Sequence, residues 1–228
     1  MKKGQSQDKN VTTAVTAKEQ LDMLRTAEEK EKCIDMNYMV YQYGIYHNDK
    51  VNQLIHIIFV PIIIYTWYVM MCHLTLFPNV SLGFDIPIFG DQIGGGFWIN
   101  AIVSGGYFLV DWKTAAGVAL WYWPAMVYGN YTWMNHSHEI YFGYHQFWFM
   151  NAVNIFSWVM QFIGHALFEK RAPAILDNLG FALLAPFFIT FEVMNTVFGF
   201  REGKRMQQLR ELIEQDIKEF HEQGKTKP

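Results

Sequence analysis

Charge is what the middle of this chain lacks. Of the 18 Lys and Arg, 3 fall between residues 54 and 200, and of the 21 Asp and Glu, 7 do. The remainder crowd into two flanks, residues 1–53 and 201–228. No basic face is left to neutralise phosphates, which excludes nucleic acid as a partner. Cysteine is scarce as well. Cys33 in the polar flank and Cys72 in an apolar stretch make no disulfide framework, which fits a reducing environment around the flanks. Residues 1–17 hold no apolar run of the signal-peptide kind, so membrane insertion is expected to rely on an internal span. Neither end carries a readable lipidation or retrieval signal. Internal repeats and low-complexity tracts are missing too.

Apolar and aromatic residues are what the chain has instead. Of its 228 residues 51% are hydrophobic and 17% aromatic, with 12 Met, more apolar surface than a soluble domain needs. A whole-chain mean hydropathy close to zero therefore averages two chemistries. Apolar stretches at Leu54–Phe77, Phe97–Val110, Thr114–Met134 and Phe147–Phe168 predict an all-α, polytopic membrane helix bundle of four spans. A fifth segment, Leu179–Phe200, is interrupted by Pro186 and Glu192 and is expected to be re-entrant or spanning, with the re-entrant form preferred. The boundaries follow: a polar, partly disordered flank at 1–35, a membrane domain at 36–200 and a charged helical tail at 201–228. Residues 18–43 read as one helix leading into the run Tyr38, Tyr41, Tyr43, Tyr46, and 78–96 as a loop.

The few central charges orient these spans. With the N-terminal flank cytoplasmic, Lys113, Lys170 and Arg171 all fall on the cytoplasmic side, and the loops at 78–96 and 135–146 fall opposite with no basic residue. The same topology sorts the histidines. His47, His56 and His165 gather at the cytoplasmic end, whereas His73, His136, His138 and His145 lie at the other. Asn48 and Asp49 are good caps for a helix starting near Lys50, which leaves His47 in the preceding turn, free to fold back. Asn52 and His56 share a face at i, i+4, and Gln161, His165 and Glu169 form a stripe spaced by four. Gly164 permits a neighbouring helix to come close. Ionisable groups inside a membrane are costly and usually functional. Two imidazoles with a carboxylate are the ligand set of non-haem Fe(II) oxygenases, and three imidazoles suit Fe or Zn. His136-Ser-His138 with His145 sits in an aromatic loop that reads as an interfacial belt. Asp111 and Glu192 read as structural partners or caps, and the tyrosine run as interfacial anchoring.

Two signatures carry a resemblance. Tyr46-His47-Asn48 followed by Asn52-Gln-Leu-Ile-His56-Ile-Ile-Phe-Val-Pro61 is the first. The second runs Gln161-Phe-Ile-Gly164-His165-Ala-Leu-Phe168-Glu169-Lys170-Arg171-Ala-Pro173-Ala-Ile-Leu-Asp177-Asn178-Leu179, then Leu184-Ala185-Pro186 and Phe191-Glu192. In combination they resemble a family of endoplasmic-reticulum membrane proteins whose characterised fungal member is an Fe(II)-dependent 2-hydroxy fatty acid dioxygenase of phytosphingosine breakdown. The resemblance covers about residues 36–72 and 98–200. It implies removal of one carbon from a long-chain 2-hydroxy fatty acid by α-oxidation with O2 and Fe(II), without 2-oxoglutarate. It also implies His47, His56 and His165 as metal ligands, at the cytoplasmic face of a multi-pass endoplasmic-reticulum protein. Glu169 is added as a catalytic residue and candidate ligand from its spacing. Lys170, Arg171, Asn52 and Gln161 are added as substrate-binding residues, with membrane lipid as a further partner. No His-x-x-His-His box is present, which argues against a di-iron hydroxylase. A non-catalytic scaffold or a metal-binding membrane protein stays open as the alternative.

Overall fold

The computed structural model describes residues 17–25, 35–74, 79–87, 90–172, 180–201 and 203–225. Among them the helices are α1 (Ala17–Met23), α2 (Met36–Gly44), α3 (Lys50–His73), α4 (Gly96–Val110), α5 (Trp112–His136), α6 (Gln146–Gly164), α7 (Gly180–Phe198) and α8 (Lys204–Lys225). Of the expected disorder at residues 1–17, all but Ala17, which begins α1, falls outside the described residues, as do Cys33 and the Pro173–Leu179 part of the second signature. Helix is thus the dominant element, as expected. The all-α expectation is corrected by two short hairpins. Strands β1 (Val80–Ile86) and β2 (Gly90–Ile93) pair antiparallel where a loop was expected. Strands β3 (Ile140–Tyr141) and β4 (Tyr144–His145) close over Phe142 and Gly143, both with φ positive at 51° and 85°. Positive φ at both central residues is the tight hairpin turn that matches strand twist.

Local chemistry explains most boundaries. The helix expected over 18–43 is interrupted at Asp35, which takes an extended backbone and whose carboxylate accepts from the N–H groups of Asn37 and Tyr38, capping α2 afresh. Asp49 caps α3 in the same manner through Val51 and Asn52. Asp111 separates α4 from α5, accepts from the Thr114 N–H and receives the Arg201 guanidinium at 2.6 Å. Pro186 does not break its segment: α7 runs through it, and the Thr190 hydroxyl donates to the Pro186 carbonyl at 2.7 Å.

Helix α3 is the hub, packed against α4, α5, α6 and α7. It is also the one helix among the described residues that is long and apolar enough to cross a bilayer. Four full spans are therefore not supported. Helix α4 ends at 15 residues, about 22 Å of rise against roughly 30 Å of hydrocarbon. Helix α5 carries Lys113, Asn130, Asn135 and His136, and α6 carries Gln146, Asn151, Asn154 and Gln161. Of those amides Asn130, Gln146, Asn154 and Gln161 are buried, whereas Asn135 is exposed. Asn154 donates to the Thr66 hydroxyl at 2.8 Å, Tyr122 donates to Asn100 at 2.6 Å and Trp121 donates to Thr190 at 2.9 Å. Outward the bundle shows apolar side chains, with Ile102, Leu109 and Leu120 exposed by 75, 79 and 81%.

Two apolar clusters fix the frame around the histidine end. One joins Tyr43 to Tyr68, Tyr107, Tyr122, Phe187 and Phe188. The other docks α1, α2 and α8 onto α7 through Leu21, Val40, Tyr41, Phe191, Leu209 and Ile213. The charged tail thus packs back on α2, with its Asp216 accepting from the Tyr41 hydroxyl at 2.8 Å.

Candidate metal centre

Three local events bring His47, His56 and His165 together. Helix α2 stops at Gly44, and a turn closed by Tyr46 N–H on the Tyr43 carbonyl leaves His47 just before the Asp49 cap. His56 sits in the second turn of α3, on the face of Asn52, and both are buried. His165 begins a π turn, His165–Glu169, where α6 widens before the chain reverses at Lys170 in the left-handed region (φ 52°). The helices can approach here because Gly164 has no side chain: a Cβ at that position would collide with the Asn52 carboxamide oxygen.

The rings meet edge to face. Centroids of His47 and His56, His47 and His165, and His56 and His165 lie 4.6, 4.7 and 5.1 Å apart, at 89, 78 and 88°. One ring nitrogen from each lies within 4.8 Å of the other two. Among the described residues this is the group of histidine, cysteine and carboxylate side chains able to hold a metal ion. Hydrogen bonding sets the tautomers. His47 Nδ1 lies 3.1 Å from the Tyr43 carbonyl and His56 Nδ1 lies 2.9 Å from the Asn52 carbonyl. A carbonyl accepts only, so both rings carry their proton on Nδ1 and present an Nε2 lone pair. Those two Nε2 atoms face each other at 3.2 Å. Two lone pairs at that distance repel unless a cation lies between them, the arrangement of metal-bound imidazoles backed by carbonyls. The buried His165 Nδ1 has no hydrogen-bond partner. Burial, then the charge of the two neighbouring imidazoles, holds His47 well below the usual histidine range, which keeps it a neutral donor. The donor set therefore fits a divalent transition metal.

The other expected site residues divide. Gln161 is buried one turn before His165, lines the same cavity and has an unpartnered Nε2. Asn52 donates to Glu169 at 2.9 Å, and Glu169 also accepts from the Asp49 N–H at 2.9 Å. Glu169, expected as a candidate ligand, is not in the metal-capable group, and its Oε1 is held at the start of α3 by these two hydrogen bonds. Burial raises its pKa, against those two hydrogen bonds. Neither Lys170 nor Arg171 lines the cavity. Lys170 is exposed. Arg171 donates to the Ile45 carbonyl, pairs with Asp216 at 3.6 Å and lies over the rings of Tyr46 and Phe220.

A family's sequence profile, described as 2-hydroxy-palmitic acid dioxygenase Mpo1-like, matches residues 34–197. The chain belongs to the Mpo1-like family. It is also 30% identical over 192 residues to the 2-hydroxy-palmitic acid dioxygenase MPO1 of Saccharomyces cerevisiae, covering 82% of this chain and 92% of that protein. No solved structure matches it significantly. The Mpo1-like match contains all three clustered histidines and ends in the last turn of α7, so α8 lies beyond it.

Tyr43 is the residue of this Mpo1-like site that sequence reading passed over. Its ring stacks on His47 at 4.2 Å and 8°, its carbonyl fixes the His47 tautomer and its hydroxyl donates to Glu192 at 2.9 Å. In the sequence it is one of four tyrosines in the run 38–46, and only its position four residues before His47 hints at the contact. Glu192 is a structural partner, as expected, and Asp111 is a cap. His136 pairs with Glu139 at 2.6 Å on the surface, and His138 and His145 join no metal-capable group among the described residues.

Proposed function

We propose that this chain is an Fe(II)-dependent dioxygenase that shortens long-chain 2-hydroxy fatty acids by one carbon. The observation that carries the reading is the pair of Nε2 lone pairs facing each other beside His165, in a chain of a family named for 2-hydroxy-palmitic acid dioxygenase. His47, His56 and His165 hold the ion. Fe(II), when bound, supplies the one-electron chemistry that makes O2 reactive and a Lewis-acidic partner for the carboxylate and 2-hydroxyl. The residues around it position and exclude. The carbonyls of Tyr43 and Asn52 keep the imidazoles in the ligating tautomer. Gln161 offers an amide N–H to the substrate head group, and the apolar walls keep water out. Glu169 anchors Asn52 and the α3 cap, and so the angle of His56. The reaction balances without 2-oxoglutarate: R–CHOH–COOH and O2 give R–COOH, CO2 and water, the substrate supplying all the electrons.

A membrane setting is part of this reading. Apolar side chains outside and amides inside, the reverse of a soluble bundle, suit lipid contact through α3 and the flanking helices. The placement of Lys170 and Arg171 just after His165 favours an endoplasmic-reticulum membrane protein with the site toward the cytoplasm. The test is direct. Purified protein in detergent, given Fe(II), O2 and 2-hydroxypalmitate, yields the C15 acid by mass spectrometry, and the His56→Ala variant does not. Stoichiometric metal with no product would instead favour the metal-binding, non-catalytic alternative. A tag after Pro228 reachable only from the lumen would remove the topology.

A further inference from the structure

The cavity beside the three histidines is one-sided in its chemistry. The space between its walls is about 730 Å³ with the open mouth counted in. Three helices each give it one face. From α3 come His56, Val60, Ile63 and Ile64, a stripe at i, i+4, i+7 and i+8. From α6 come His165, Gln161 and Trp158, and from α7 come Ala182, Ala185 and Ile189. Polar atoms are confined to one end. Beyond His56, His165 and Gln161, the wall rises about 12 Å along α3 with no polar side chain. Helices α6 and α7 both flank α3 there, and the two alanines of α7 hold the space between them open. Gln161 is 5% exposed and its Nε2 has no partner, which marks the polar end as built for a ligand rather than merely underpacked.

We infer that this cleft between α6 and α7 seats the substrate's acyl chain, with Ala182 and Ala185 as the residues that set its width. The inference rests on the dioxygenase reading for the identity of the head group, but the cleft's fit to a single unbranched alkyl chain is independent of turnover. A sixteen-carbon chain is roughly 20 Å long at extended C–C spacing, more than the wall provides. Its distal end therefore leaves past the exposed side chain of Leu183, where an apolar chain meets lipid. Chain-length discrimination then arises over Ala182 and Ala185 and fades beyond them.

Two experiments test this. First, a palmitate carrying a diazirine at mid-chain is photolysed with the wild-type protein in detergent, with and without Fe(II). Adducts are expected on the α6 peptide holding Trp158 and the α7 peptide holding Ala185, competed by 2-hydroxypalmitate. Adducts spread over other surfaces, or unaffected by competitor, would overturn the inference. Second, Ala185→Leu and the milder Ala185→Val are assayed on 2-hydroxypalmitate and 2-hydroxyoctanoate. The Leu variant is expected to lose about 10-fold or more in kcat/KM on the long acid and less than 3-fold on the short one, with metal content unchanged. Equal loss on both acids, or none on the long one, sinks the width-setting role. Wild-type protein that labels in the cleft yet makes no C15 acid would remove the reaction and leave the acyl site. Turnover with labelling elsewhere would do the reverse.

Discussion

The bundle has histidines at both ends, and the two ends differ in every respect that matters to a metal. His136, which ends α5, His138 and His145 are close in sequence but lie at the surface beside or on the β3–β4 hairpin, where His136 is occupied by the exposed Glu139 carboxylate. His47, His56 and His165 are scattered in sequence, yet their rings lie within about van der Waals reach of one another, and His56 and His165 are 6 and 3% exposed. Density of ligands along a chain is therefore a poor guide. What counts is how the rings converge and what pins their second nitrogens, and here backbone carbonyls that only accept pin those of His47 and His56.

Substitutions at the two ends should part widely. Replacing His56 or His165 by Ala is expected to abolish stoichiometric metal binding and cut turnover by more than about 100-fold, read by metal analysis and C15 product. Glu169→Ala should weaken metal affinity by about 10- to 100-fold without changing the limiting stoichiometry, because it removes support and not a ligand. Titration with a metal-competing chelator separates those outcomes, and a lost equivalent of metal would restore Glu169 to the ligand set. Gly164→Ala sharpens the comparison sterically. The added methyl meets the Asn52 carboxamide and should cost about 1–3 kcal/mol, measured as a lowered melting temperature in detergent. Arg171→Ala removes a hydrogen bond to Ile45 and the contact with Asp216, and is expected to cost about 1 kcal/mol while leaving KM for 2-hydroxypalmitate unchanged. A large KM increase there would return Arg171 to substrate binding. Smallest of all, His136→Ala should shift stability by less than about 0.5 kcal/mol and leave metal content alone.

Much of the histidine end was legible in the sequence because its signals are local. Asp49 announces the α3 cap, Asn52 and His56 share a face by spacing, and Gly164 marks a close approach. Glu169 misled because a period of four presumes an α-helix, and the widening into a π turn at His165 leaves no signature in residue types. The spans were overcounted for a related reason. Apolar runs report burial in something, whether lipid or a neighbouring helix, and say little of where a helix stops. Asp111 stops α4 early, while the inward amides of α6 serve packing. Pro186 was read as a break, though α7 absorbs it with a hydroxyl from Thr190 on the proline carbonyl. Tyr43 was hidden among like residues, since its role depends on Phe188 and Glu192 arriving from far along the chain.

The distances along the chain carry one more consequence. Asn52 and Glu169 are 117 residues apart, and the Tyr41–Asp216 bond that secures the neighbouring turn spans 175. A ribosome that has delivered His47 and His56 has made only two of the three candidate ligands, one in a turn and one in a helix that still lacks α5, α6 and α7 to pack against. The complete donor set comes into being only after α6 is out and folded back, and it is braced only when the tail has followed. On the metal-binding reading, loading the site is therefore a closing act of biosynthesis, and a chain arrested before residue 165 has no three-histidine site to fill.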